Sequence, residues 1–575
     1  MKRLPSVLVF TIVLLTACTT VNELPVEPPS KPLAVASDIA SPEAPLRPTD
    51  PEVMNHVFAA EVLGSEGDYS AAAAEYLEAA LISADPEIAK RAARVAVSAG
   101  EWQMVALASD RWAMLDSSSL EAREMAAGSR LREGDYAGAE YQLARILDLT
   151  SSDLAHGWQV VTALLVPASD QARANKVLEN LSQQFDADNN VDALFARSQF
   201  AARMGNLEQA GEFIETAIGL EPGRADLLAW SGRVAINLDK LDMALERYRQ
   251  AWQAEPQDPQ YAMAYAELLK RNNDAATGQA VMAQLPDTPG MRFARIVYAL
   301  DTDDRESAEK LYAGFSEEAY SDAPDMAFHA AQSAELLDYK RQAIDWYGQV
   351  TGEQSLRSVL RRALLLAELG EVGDARNLLV NLRVNADASV RSQSYQIEAQ
   401  ILNEAGDPEE AMRVLGSALL ELPADFQLRY ARALLAVAQG RLQLAESDLR
   451  QLIAEQPQNA VAINALGYTL ADMTDRFEEA EQLIHQAYAL QPDDPSIIDS
   501  MGWIAYRRGR MTEAEKFLRE AWDLLRNAEV AAHLGEVLWV NGRQDEARSL
   551  WESGLELDSD NRVLRETMQR FGESH

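Results

Sequence analysis

A short polar break recurs along this chain at a nearly constant distance, and no other feature limits the possible folds as strongly. GDY at 67–69, GEW at 100–102, GDY at 134–136, GNL at 205–207, DKL at 239–241, GDP at 406–408, GRL at 440–442, GRM at 509–511 and GRQ at 542–544 leave neighbouring breaks 33 or 34 residues apart. Small residues follow at a fixed distance: Ala72, Ala139, Ala210, Ala244, Ala411, Ala445, Ala514 and Ala547. A small side chain there lets two helices approach closely. Glycine at the break can take the left-handed conformation that ends one helix, and the Asp, Asn or Glu often following it suits the start of the next. Gly134 and Asp135 are therefore expected to stop one helix and start another.

Near the C-terminus the pattern sharpens. Leu466-Gly467, Met501-Gly502 and Leu534-Gly535 precede Ala480, Ile484 and Ala487, then Ala514, Leu518 and Ala521, and Pro222, Pro256, Pro423, Pro457 and Pro492 close their units. These residues resemble the tetratricopeptide repeat. The resemblance implies an all-α, superhelical solenoid of roughly fifteen helix-turn-helix units, each stacked only on its neighbours. It would occupy residues 52–572. The period is degenerate at 150–190, at 273–337 and around 474, although Ser169, Ala174, Leu178 and Leu181 fit one weak unit and Asp303, Ala308 and Tyr312 another. A bend or subdomain boundary is expected at LPDTPG, 285–290.

Ahead of the repeats, Lys2 and Arg3 lead into an apolar run from Val7 to Leu15 and then small residues, the layout of a secretory signal. Leu15-Thr16-Ala17-Cys18 resembles a bacterial lipobox, which makes residues 1–17 a lipoprotein signal peptide and Cys18, the chain's single cysteine, an acyl carrier. The expected modification is a covalent lipid and no other cofactor. Thr19 in place of an aspartate points, by resemblance to lipoprotein sorting, to the outer membrane, with the protein lipid-anchored and facing the periplasm. Residues 18–51 carry prolines at 25, 28, 29, 32, 42, 45, 48 and 51 and read as a lipidated, disordered tether.

Catalytic signatures are missing. The histidines at 56, 156, 329, 485, 533 and 575 never pair at metal-ligand spacing, and no HExxH, GxSxG or Walker pattern occurs, so the expectation is no enzyme and no metal. Asp186, Asp188 and Asn190 alternate as in a calcium loop, but Val191 stands where the turn glycine belongs and Arg197 where the last glutamate belongs, which favours an acidic inter-repeat turn. With the signal removed, 50 basic residues face 90 acidic ones, a net −40 that repels nucleic acid.

Repeat geometry places function on the concave face, lined by the first helix of each unit. The residues expected there are Asn464, Tyr468 and Asp472, then Asp499, Trp503, Tyr506 and Arg507, then Glu529, Glu536 and Trp539. Trp503 and Trp539 fall outside the usual packing positions and read either as exposed anchors for a bound protein or as packing between adjacent repeats. Tyr76, Tyr248, Tyr347 and Trp551 occupy the second-helix packing position and are expected in the core. The runs 489–522 and 531–548, with the lipobox and tether, resemble outer-membrane tetratricopeptide lipoproteins that bind and activate a periplasmic carboxy-terminal processing protease. That resemblance implies an adaptor whose partners are the protease and its substrates, peptidoglycan endopeptidases. The alternative is an assembly or pilotin-like scaffold for a secretion, pilus or other envelope complex.

Overall fold

The computed structural model describes residues 50–315 and 323–572. The signal, Cys18 and residues 19–49 of the tether lie outside the described residues. Thirty-one α-helices are present, from Pro51–Ser65 to Arg562–Arg570, and no strand occurs among the described residues. Among the described residues they form fourteen helical hairpins, one consecutive pair, Leu154–Leu165 and Gln171–Gln184, whose members pack against Tyr136–Leu149 rather than on each other, and one last helix. The chain divides near residue 316 into two compact units. The first holds seven hairpins and the unpaired helices Leu154–Leu165 and Gln171–Gln184, and the second holds seven hairpins and the closing helix. Each unit is a stack of tetratricopeptide-type hairpins, so the fold class read from the period is the one observed.

The break works as its residues suggest. Gly134 has φ +78°, its N–H donates to the Leu131 carbonyl, and the Asp135 N–H donates to the Arg130 carbonyl at 2.9 Å. The Asp135 side chain meanwhile accepts from Gly138 N at 2.9 Å. Two consecutive residues thus satisfy the orphan carbonyls of one helix and the orphan amides of the next. Asp239 at the DKL break, and Asn273, Asp303 and Asp338 in and beside the degenerate stretch, take the glycine's place with φ between +55° and +62°. The three later ones precede the shortened second helices. The same closing bond survives, for example Asp304 N–H to the Ala299 carbonyl at 2.8 Å. Second helices shorten there, however: Ala275–Met282, Arg305–Tyr312 and Lys340–Tyr347 each have eight residues, where Leu442–Glu455 has fourteen.

Helix contact explains the small residues. Ala72, Ala139, Ala210, Ala244, Ala411, Ala445, Ala514 and Ala547 are all buried, as are Tyr76, Tyr248, Tyr347 and Trp551. A methyl group on Gly502 would lie 2.5 Å from Leu518 Cγ, and one on Gly535 would lie 2.0 Å from Trp551 Nε1, so first and second helices touch backbone to side chain at these steps. The DADNN segment is an inter-repeat turn. Asp188 pairs with Arg197 at 2.6 Å, and Asn190 caps the helix Val191–Arg203. At LPDTPG, Leu285 is buried, Asp287 pairs with Arg295 at 3.3 Å and Pro289 opens the helix Pro289–Asp301.

Candidate functional site

Three first helices of the C-terminal unit, Ala460–Met473, Pro495–Arg507 and Ala528–Val540, carry the expected groove residues. Each begins at a side chain that suits the end of a helix: Asn459 accepts from Ala462 N, Asp494 from Ser496 N and Asn527 from Val530 N. With their starts fixed, the helices bring Tyr468, Asp499, Trp503 and Glu529 around a residue absent from the expected set, His533.

His533 is 2% exposed and Asp499 6%. The imidazole Nδ1 lies 2.8 Å from Asp499 Oδ2, and Nε2 lies 3.2 Å from the Tyr468 hydroxyl. Tyr468 donates in turn to Glu529 Oε1 at 3.4 Å. Burial works against charge on this ring, but Asp499, with Glu529 and Asp472 beyond it, pushes the imidazole up to about 9. A protonated ring donates from both nitrogens, so the hydrogen bonds run from His533 to Asp499 on one side and through Tyr468 to Glu529 on the other. Burial also holds the Tyr468 phenol well above its ordinary value. The Glu529 carboxyl is raised first by burial and then by Asp499 and Asp472, against the pull of His533, although the residue keeps an exposed edge. Arg507 donates to the Asp472 carbonyl at 2.8 Å and lies over the Phe477 ring.

A second group sits one layer on. Tyr506 donates to Glu536 Oε1 at 3.0 Å, and Arg570 from the closing helix donates to Glu536 Oε2 at 2.6 Å. Burial, and then Glu536, raise the Tyr506 phenol. Asn464 joins neither group, and its Oδ1 is buried without a partner among the described residues.

The tryptophans correct an expectation. Trp503 is 5% exposed and stacks on the His533 ring with centroids 4.3 Å apart, because it lies one helical turn beyond Asp499 on the face turned to the next first helix. Trp539 stacks on Trp551 at 5.4 Å and packs against Phe571 at 5.7 Å, which makes it part of the terminal layer. Of the two readings open for these residues, Trp503 has packing between repeats, whereas Trp539 packs within its own repeat and on Phe571 and stays half-buried. Of the expected residues, Asp472 and Glu529 are exposed, Asn464, Tyr468, Tyr506, Arg507 and Trp539 are half-buried, and Asp499, Trp503 and Glu536 are buried. The signal for His533 lay in the spacing: it follows Asp499 by 34 positions, one full period, as Arg570 follows Glu536.

Family comparison agrees with this architecture. Tetratricopeptide repeat models match residues 201–268, 398–460 and 430–495. The chain is 31% identical over 484 residues to the TPR repeat-containing protein PA4667 of Pseudomonas aeruginosa, covering 84% of this chain and 81% of that one. Among solved structures, yeast Tom70 aligns over 90% of this chain and 94% of its own at 16% identity, with a TM-score of 0.32. TTC0263, a thermophilic TPR protein of Thermus thermophilus, aligns over 31% of this chain and 97% of its own at 22% identity, with a TM-score of 0.29. With the repeat models placed on both compact units and a relative of this identity along most of its length, the chain belongs to the tetratricopeptide-repeat family.

Proposed function

We propose that this protein is an outer-membrane-anchored periplasmic scaffold that binds and activates a carboxy-terminal processing protease and presents peptidoglycan endopeptidases to it. The observation that carries the reading is the likeness of residues 489–522 and 531–548 to LbcA, in a chain that also has the lipobox Leu15-Thr16-Ala17-Cys18 and a proline-rich stretch before its first repeat. Family membership supports the coarser part, since tetratricopeptide arrays serve as protein–protein interaction scaffolds. A scaffold of this kind acts by raising the effective concentration of one partner near another, and by favouring the active form of the protease if it binds that form more tightly. Catalysis is assigned to the protease.

The test is a pull-down paired with a degradation time course. Fragment 52–575 should cleave nothing alone, retain a purified carboxy-terminal processing protease, and accelerate its cleavage of a peptidoglycan endopeptidase. No association and no acceleration would remove the adaptor reading and leave a scaffold with another cargo.

A further inference from the structure

The outer face of the second helices changes character along the array. Seven residues after the break stand Ala74, Leu107 and Tyr141 in the first three repeats, whereas Glu212, Glu246, Arg413, Ser447, Lys516 and Ser549 hold the same register later. Fourteen residues after the break stand Leu81 and Met114 in the first two repeats and Asp148 in the third, and Leu420 holds the same register later. Leu81 is 47% exposed, Leu107 53%, Met114 73% and Tyr141 60%. Leu107 and Met114 share one face of the helix Trp102–Leu115, two turns or about 10 Å apart. Tyr141 repeats the Leu107 position on Tyr136–Leu149, and Leu81 repeats the Met114 position on Tyr69–Ile82. Four large apolar side chains thus occupy exposed positions on the second helices of three consecutive repeats, and at the first of the two registers the later repeats carry charged residues or serine. Exposed apolar side chains brought together on neighbouring repeats mark a contact surface.

The surrounding charge states what fits it. Residues 50–150 hold eighteen acidic and eight basic side chains. Basic groups near the patch are already engaged: Arg111 donates to the Ala80 and Ser83 carbonyls, and Arg145 pairs with Asp148 at 2.7 Å. Glu78 stays exposed beside Leu81. We propose that Leu81, Leu107, Met114 and Tyr141 form a docking surface for a basic amphipathic helix of a protein partner. Apolar anchors at i, i+3 or i+4 and i+7 on such a helix span the 10 Å between Leu107 and Met114, and its lysines or arginines meet the excess of acidic side chains in this segment, Glu78 among them. The proposal holds whichever protein the scaffold serves, and it leaves the first-helix wall around His533 free.

The test uses the full chain in detergent and a fluorescent fourteen-residue helical peptide of leucine and lysine with leucines at helical spacing. A second peptide has glutamate in place of every lysine. Leu107→Gln, Met114→Gln and Tyr141→Gln are combined; all three sites are exposed, so unchanged helicity is expected and is checked by circular dichroism. The lysine peptide should bind the parent chain and bind the triple variant about tenfold more weakly or worse, while the glutamate peptide should bind neither. Equal binding of the lysine peptide to parent and variant, binding of both peptides alike, or no binding overturns the proposal. So does a parent chain that dimerises through the patch in sedimentation, or one that binds phosphatidylglycerol vesicles less well once the triple change is made. Those results would assign the face to a second copy or to a lipid surface.

Discussion

His533 and Asp499 form a buried charged hydrogen bond between successive first helices, 2.8 Å long and one repeat period apart in sequence. Because neither side chain reaches bulk water, each depends on the other for solvation, and that dependence sets the first two predictions.

Stability of the C-terminal unit should fall as pH rises from neutral. The folded state raises His533 from 6.5 to about 9, so the proton is bound more tightly in the fold than in the unfolded chain. The resulting stabilisation is complete below pH 6.5, declines above it, and is gone once pH passes about 9. Urea unfolding followed by the fluorescence of Trp503, stacked on His533, should show the midpoint dropping across that window. In His533→Gln the slope over the same range should flatten.

Asp499→Asn should cost more than a surface change. It leaves an imidazolium buried without its counter-charge, and breaking a buried pair from one side costs about 3–5 kcal/mol. The double change Asp499→Asn with His533→Gln should recover part of that loss, because no charge then remains buried. Denaturant midpoints of the four proteins in the cycle measure it.

Asp303→Gly should stabilise the first unit. Asp303 holds φ +57°, a region costly for a residue with a Cβ, and the closing bond from Asp304 N–H is kept whatever side chain stands before it. Relief of about 0.5–1 kcal/mol is expected, offset in part by the greater freedom of glycine in the unfolded chain. Thermal midpoints under one set of conditions decide the sign.

Gly502→Ala should destabilise by about 1–3 kcal/mol through overpacking, since the new methyl would meet Leu518 Cγ at 2.5 Å. Gly219→Ala is the control. Its added methyl meets nothing within 4 Å, and stability there should hold or rise.

Cys18→Ser should abolish incorporation of a clickable fatty acid in cells. Label retained by the variant would remove the lipid-anchor assignment.

The sequence shows what repeats, and hides what depends on how repeats are turned against one another. Ala139 and Ala514 were legible as helix contacts because the period fixes which face they occupy, and they are buried. Asp303, like Asp239 in DKL, was placed by spacing and not by residue type, since aspartate reaches the left-handed geometry that glycine announces more plainly. Trp503 lies on the predicted helix, but whether it faces open groove or the next layer depends on the rotation between units, and His533 occupies the space beside it. His533 itself was a lone histidine with no local partner, because its partners come from helices 34 and 65 positions earlier.

Tyr468 reaches His533 over an intervening repeat, at 3.2 Å between hydroxyl and ring nitrogen. In a stack whose layers each touch only the next, every joint can flex independently and small deflections accumulate with length. A bond that skips a layer is a chord drawn across an arc: with both ends fixed, the two joints beneath it cannot open without stretching it. Bending between Ala460 and Val540 must therefore lengthen or break this bond, a resistance of about 0.5–1.5 kcal/mol added to nearest-neighbour packing.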